Sequence, residues 1–296
     1  MRGVMGGAVV LLTLAFLPGR LAGQNIYETD SNGTVNEIQP NGTVSAFATG
    51  FSFPLGAVFG ESGDLFVADG DFNTVSEITP GGIVSTFASG FSTPFGVVFN
   101  SSGDLFVANN GTGNISKVTS DGTVSTYASG FSDPAGLAID SGGNLFVANE
   151  NIGTISKITP SGTVTTFASG FNFPDGLAFN GIGNLFVSNQ GDGTISQITP
   201  SGVATTYATG LNQPLGLVFD NGGNLYAADE GDGSIEEVSN LGMVTTFVPS
   251  SVGLNPHFLT YSVTAVPEPA ETAAILGLAA LAAVVWRQRR KNLVNG

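Results

Sequence analysis

The chain has 296 residues, no cysteine and a formal net charge of −15 at pH 7, with 42% hydrophobic residues but only 10% charged ones. Without cysteine neither a disulfide framework nor a thiolate metal site is possible, so packing and backbone pairing must hold the fold. Between Gln24 and Ala265 the only basic side chains are Lys117 and Lys157, against 21 Asp and Glu, a balance that suits cations or cationic partners and excludes nucleic acid, whose phosphates need Lys and Arg.

The first segment, MRGVMGGAVVLLTLAFLPGRLAG, has Arg2 near its start, an apolar run from Val4 to Leu17, a helix-breaking Pro18-Gly19 and small residues at Ala22 and Gly23. That layout predicts a secretory signal peptide over residues 1–23, cut near Gly23.

Beyond it the chain repeats. The stretch GFSFPLGAVFGESGDLFVADGDFNTVSEITPGGIVSTFAS from Gly50 recurs from Gly90, Gly130, Gly170 and Gly210, an interval of 40 residues marked by Pro54, Pro94, Pro134, Pro174 and Pro214. Within one copy, GLAF (176–179), LFVS (185–188), TISQI (194–198) and TTYA (205–208) are short apolar or β-branched runs separated by Gly, Asn and Pro turns, which predicts four strands joined by hairpins. No part of this body has helical periodicity of useful length. Leu185 and Val187 face one side of the second strand and Phe186 and Ser188 the other, so both faces are mostly apolar, as a blade sandwiched between two neighbours requires.

The ends set the number of blades. Shifting the repeat back by 40 aligns Ile26-Tyr27 with Phe66-Val67, TVNEIQPNG from Thr34 with TVSEITPGG from Thr74, and Phe47 with Phe87, so the chain opens without a first strand. GLNPHFLTYSV from Gly253 resembles GLNQPLGLVF from Gly210 with one residue dropped before the proline and supplies that strand. The expected domain, residues 24–265, is therefore an all-β, six-bladed β-propeller of four-stranded antiparallel blades. Its ring is closed by N-terminal and C-terminal strands, which removes the exposed edges, and hydrophobic helices flank it at both ends.

PAGLAIDSGGNLFVANENIGTISKITPSG from Pro134 resembles the NHL family of propeller repeats, whose pattern runs Pro-x-Gly-Leu, Gly-Asn-Leu-Tyr-Val-Ala-Asp, then Ile and a Pro-x-Gly turn. The wider group it is similar to includes gluconolactonase-type calcium enzymes and streptogramin (virginiamycin B) lyases. The resemblance covers the whole body and specifies fold far better than activity.

The x of Pro-x-Gly is expected at the channel mouth and reads Leu55, Phe95, Ala135, Asp175, Leu215 and, in the closing blade, His257, the only histidine of the chain. Asp175 and His257 are thus the candidate catalytic residues, the plain alternatives being a solvated turn aspartate and a satisfied loop histidine. The resemblance to gluconolactonase-like enzymes implies a metal-binding role for Asp175. It also implies a Glu and an Asn from other blades, where this chain has Leu, Phe and Ala. The resemblance to streptogramin lyases implies histidines with Glu and magnesium, and one histidine supplies no pair.

The end of the second strand reads Asp69, Asn109, Asn149, Asn189 and Asp229, a repetition that favours a structural task because Asp and Asn hydrogen-bond the following turn. In the first of these loops Asp69, Asp71 and Asn73 have the alternating oxygen spacing that Ca²⁺ uses, which makes them the candidate metal ligands, without the twelve-residue pattern of a full calcium loop.

The tail reads VPEPAETAAILGLAALAAVVWRQRRKN from Val266 to Asn292. A transmembrane helix is expected over about 270–286. Its length of about 26 Å at ~1.5 Å per residue is marginal against a hydrocarbon core of ~30 Å. Val266, Pro267, Glu268 and Pro269, the apolar run and Arg287, Arg289 and Arg290 together resemble the PEP-CTERM sorting signal over residues 266–292. That resemblance implies cleavage by an exosortase-type enzyme and export in a Gram-negative bacterium to the outer surface or extracellular matrix, with a transient inner-membrane anchor. The expected function is a binding or scaffold module for polysaccharide or surface protein, associated with exopolysaccharide or biofilm. The alternative is a metal-dependent extracytoplasmic lactonase or streptogramin-lyase-like enzyme.

Overall fold

The structure, a computed structural model, describes residues 25–262. The expected signal peptide, the sorting signal and both flanking hydrophobic helices lie outside the described residues. Among those residues no helix is long and apolar enough to cross a membrane.

The chain opens with β1 (Ile26–Asp30), β2 (Thr34–Ile38) and β3 (Val44–Thr49). Blade 1 follows as β4 (Pro54–Phe59), β5 (Leu65–Asp69), β6 (Thr74–Ile78) and β7 (Val84–Ser89), and blade 2 as β8 (Pro94–Phe99), β9 (Leu105–Asn109), β10 (Asn114–Val118) and β11 (Val124–Ser129). Blade 3 is β12 (Pro134–Ile139), β13 (Leu145–Asn149), β14 (Thr154–Ile158) and β15 (Val164–Ser169), and blade 4 is β16 (Pro174–Phe179), β17 (Leu185–Asn189), β18 (Thr194–Ile198) and β19 (Ala204–Thr209). Blade 5 is β20 (Pro214–Phe219), β21 (Leu225–Asp229), β22 (Ser234–Val238) and β23 (Val244–Val248), and β24 (Pro256–Tyr261) ends the described chain. All six sheets have four strands, and the sixth is ordered β24-β1-β2-β3, so the ring closes as the sequence predicts.

The closing pairing is antiparallel, with Ile26 opposite Tyr261 and Glu28 opposite Leu259. Its register corrects the alignment drawn from the repeat. Ile26 pairs with Ile38 as Leu65 pairs with Ile78, so Ile26-Tyr27 corresponds to Leu65-Phe66 rather than to Phe66-Val67. The loop Ser31–Gly33 is one residue shorter than Gly70–Asn73, and a constant shift of 40 is therefore wrong before it. Tyr27 takes the ring position of Phe66: its ring meets Phe47 and Phe59 edge-on with centroids 5.0 Å apart, as Phe66 meets Phe87 and Phe99.

The core lies between blades. One cluster joins Tyr27, Val35 and Phe51 of the closing blade to Leu65, Val67 and Ile78 of blade 1, and the same arrangement repeats around the ring. Each edge-on aromatic pair adds about 0.5–1.5 kcal/mol to the area it buries. Near the axis the inner strands of the five full blades approach so closely that they need the glycine of Pro-x-Gly, whereas the closing blade carries Phe258 at that position. A Cβ on Gly136 would lie 2.2 Å from the Asp175 carbonyl oxygen, and one on Gly176 2.3 Å from that of Leu215.

The closing blade departs from the others at Glu28, which stands where Val67 stands in blade 1 and is fully buried. Asn36 Nδ2 donates to Glu28 Oε2 at 2.8 Å, while Oε1 has no partner. Burial pushes this carboxyl up to about 8, and the nearby Asp30 adds to the rise.

Candidate functional site

Two hairpin families define the two ends of the channel. The loop entering each inner strand and the loop between the second and third strands share one end, here called the mouth. Phe53 carbonyl oxygen accepts from Gly70 N, and Asn212 carbonyl oxygen from Gly231 N.

The Asp/Asn column builds this end. Asp69 accepts backbone N–H groups from Ser52 at 2.8 Å, Phe53 at 3.1 Å and Phe72 at 3.2 Å, and Asn109 and Asp229 accept from Ser92 and Asn212. The amide members also donate across the hairpin, Asn109 to Ser116 and Asn149 to Ser156, each at 2.9 Å. The structural task expected from repetition is the one found.

The calcium candidates belong to the same hydrogen-bonded loops. Asp69 is buried with both oxygens engaged, Asp71 accepts from Ser52 Oγ at 3.0 Å, and Asn73 Oδ1 accepts from Thr93 N at 2.7 Å. These contacts staple loops of blades 1 and 2. Among the described residues no three His, Asp or Glu side chains converge to hold a metal.

The x column sits at the start of the inner strands, around the ring axis. Leu55, Ala135, Leu215, Asp175 and His257 are all buried. Phe95 meets Phe258 edge-on at 5.9 Å, an aromatic contact between blade 2 and the closing blade. Asp175 is 2% exposed, not a solvated turn residue, and its Oδ1 has no hydrogen-bond partner. His257 is 3% exposed: Nδ1 has no partner and Nε2 lies 3.2 Å from Glu230 Oε1. The ring of His257 stands edge-on to Phe53 at 5.0 Å.

Two residues that the sequence reading did not single out complete the cluster. Glu150 follows Asn149 at the end of β13, and Glu230 follows Asp229 at the end of β21, so they flank Asp175 from the blades on either side. Desolvation holds the Asp175 carboxyl well above the usual carboxylate range, and the charges of Glu150 and Glu230 push the same way. Glu150 is raised by burial and by Asp133, whereas the hydrogen bond from His257 lowers Glu230. The signal was present in the column after strand two, which reads Gly70, Asn110, Glu150, Gln190 and Glu230. Only the blade geometry shows that this column borders the x residue of the neighbouring blade. Next to Glu150, a depression of about 560 Å³ is lined by Phe173, Gln190, Asp192 and Asn212.

From blade 3 to blade 1 the mouth thus gathers Glu150, the buried Asp175, Glu230 bonded to His257, and the Phe53 ring. Neither lysine of the body is near: Lys117 pairs with Asp104 at 2.8 Å and Lys157 with Asp140 at 3.7 Å, both at the other end of the blades. The arrangement can accept hydrogen bonds or hold a cation at Glu150 and Glu230, and Asp175, whose carboxyl burial shifts toward its protonated form, can donate one when protonated.

Fold and site together define a six-bladed β-propeller with an asymmetric, acidic channel mouth. The chain belongs to the virginiamycin B lyase family, whose profile matches residues 23–266. No curated protein matches the sequence. Among solved structures, a streptogramin B lyase is 18% identical with a TM-score of 0.64, covering 79% of this chain and 82% of its own. A chain from a nidogen/laminin complex is 18% identical with a TM-score of 0.74, covering 81% and 99%. A putative gluconolactonase is 19% identical with a TM-score of 0.61, covering 69% and 80%. At these identities the structural likeness carries the fold alone.

Proposed function

We propose that the chain is an exported propeller that binds a hydroxyl-rich or cationic ligand at the mouth bounded by Glu150, Asp175, Glu230 and His257. The observation that carries this reading is the break in the repeat. In a ring whose x column is otherwise Leu55, Phe95, Ala135 and Leu215, acidic groups and the single histidine occupy consecutive blades and leave two buried polar atoms without partners. Carboxylates uncompensated by lysine favour cations and sugar hydroxyls, and the Phe53 and Phe173 rings offer faces for stacking. The resemblance of the tail to a PEP-CTERM signal supports a place at the outer surface or matrix, reached through an exosortase-type enzyme, with exopolysaccharide or a surface protein as the proposed ligand.

The test is a pull-down and titration calorimetry of residues 24–265, which contain the whole closed ring, against the source organism's extracellular polysaccharide and surface proteins, with and without Ca²⁺. Capture that Glu230→Gln and His257→Gln abolish supports the reading. Failure to capture anything favours the second one.

That second reading is a proton-transferring lyase or lactonase, and the Glu230–His257 pair together with family membership favours it. Glu230 holds one ring nitrogen and leaves the other as a base, and Asp175, shifted by burial toward its protonated form, would be the acid that returns a proton to a leaving oxygen. Incubation with a cyclic depsipeptide lactone and with simple lactones separates the outcomes by mass. Elimination gives a product isomeric with the substrate, hydrolysis one heavier by a water, and an inert mixture rejects both.

A further inference from the structure

We propose that, while the C-terminal segment is still attached, the face opposite the mouth lies against a lipid bilayer, drawn there by that segment, so that the mouth points away from the membrane.

The topology carries the first half. Each inner strand runs from the mouth to the opposite face, and β24 is an inner strand, so the chain leaves the ring at Ser262 on the face away from the mouth. It enters there too, since Ser262 N donates to the Asn25 carbonyl oxygen at 3.1 Å. Ten residues, Val263 to Thr272, separate this exit from the apolar run that begins at Ala273. Fully extended they reach about 35 Å at ~3.5 Å per residue, so a tail in a bilayer holds this face within that distance. A tether so short raises the effective concentration of face and membrane to the millimolar range, where a weakly apolar surface suffices.

The surface carries the second half. The loops on this face join strands one to two and three to four, and they expose aliphatic side chains on adjacent blades: Ile182 (81%) and Val203 (58%) on blade 4, Leu241 (81%) and Met243 (63%) on blade 5. Ile83 of blade 1 is 70% exposed at the equivalent loop, across the closing blade that holds the exit. Such side chains insert at the boundary of headgroups and acyl chains. Electrostatics select the kind of lipid. The face also carries Glu61, Asp64, Asp121 and Asp220, and its two lysines are already paired with Asp104 and Asp140. An anionic headgroup therefore finds no free cation among the described residues of this face, and a zwitterionic lipid such as phosphatidylcholine is the surface that fits. The mouth too has exposed apolar residues, Phe72, Ile152 and Phe173, but no chain end leaves from it.

The absence of cysteine gives a clean test. Full-length chains carrying Leu241→Cys, Val203→Cys or Ile152→Cys, all exposed positions, are labelled with an environment-sensitive fluorophore. They are then reconstituted in phosphatidylcholine vesicles doped with nitroxide lipid. Blue-shifted emission and severalfold stronger quenching at Leu241→Cys and Val203→Cys than at Ile152→Cys is the expected result. Equal quenching on the two faces, stronger quenching at Ile152→Cys, or a full-length chain that fails to float with the vesicles overturns the proposal. A second copy of the chain covering this face would protect the labels without nitroxide quenching, and that also overturns it.

Discussion

His257 Nε2 lies 3.2 Å from Glu230 Oε1, so the inner strand of the closing blade is hydrogen-bonded to the end of β21 in the blade before it. The bond lowers the Glu230 carboxyl. Glu230 is therefore ionised at neutral pH, and the pairing is lost as pH falls below the ordinary carboxylate range. Glu230→Gln and His257→Gln are each expected to weaken ligand capture or turnover at least tenfold, because an unpaired polar group is left at a buried site. The circular dichroism spectrum should stay unchanged, and a variant that binds or turns over like the parent removes the pair from the site.

Glu28 predicts how stability responds to pH. In the folded chain it stays protonated up to about 8, whereas an unfolded chain ionises it near 4.5. Stability therefore falls as pH rises between those values, by up to about 1.4 kcal/mol per pH unit from this group, and levels off above the folded value. Asp229, raised to about 7 chiefly by burial, acts in the same direction. Glu28→Gln should flatten the slope and stabilise the ring at pH 8 by a few kcal/mol in urea unfolding. A variant with the parental slope would show that Glu28 is ionised inside the fold.

Gly136→Ala should be severe and Gly181→Ala benign. A Cβ at Gly136 meets the Asp175 carbonyl oxygen and the Gly176 Cα of the neighbouring inner strand, both backbone atoms that cannot step aside, whereas nothing lies within 4 Å at Gly181. The expected losses are roughly 3–5 kcal/mol or failure to fold for the first, and within about 0.5 kcal/mol for the second. Equal melting temperatures for the two variants would contradict the close approach of the inner strands.

Asp69→Asn should be tolerated within about 1 kcal/mol, because Asn109 accepts from Ser92 N at the equivalent place in blade 2. Asp69→Ala removes the acceptor of three backbone N–H groups and should cost at least about 2 kcal/mol in thermal unfolding. If alanine proves as mild as asparagine, the column is not what holds the mouth loops.

The strands were legible because each copy writes the same period-two pattern five times between the same turn residues. The x column was legible too, and it pointed to Asp175 and His257. What it hid was burial: a Pro-Asp-Gly reads as a solvated turn until the neighbouring inner strands are placed at glycine contact, which leaves Asp175 2% exposed. Glu150 and Glu230 escaped because they sit one residue beyond a column with an evident structural task. Their relation to Asp175 runs between blades, across spacings that no local pattern joins. The one-residue slip at Ile26 has the same origin, since a shortened loop resets the register without changing the hydrophobic alternation.

The sequence by itself determined the repeat, the number of blades and the way the ring closes, because a strand missing at one end and present at the other has only one place to pair. It also determined that the body is acidic and without cysteine. The tertiary structure decided which residues act together. Curving the repeat into a ring brings Glu150, Asp175, Glu230 and His257, spread over more than a hundred residues of chain, to one buried mouth. There desolvation and mutual repulsion, which depend on three-dimensional distance alone, set their protonation.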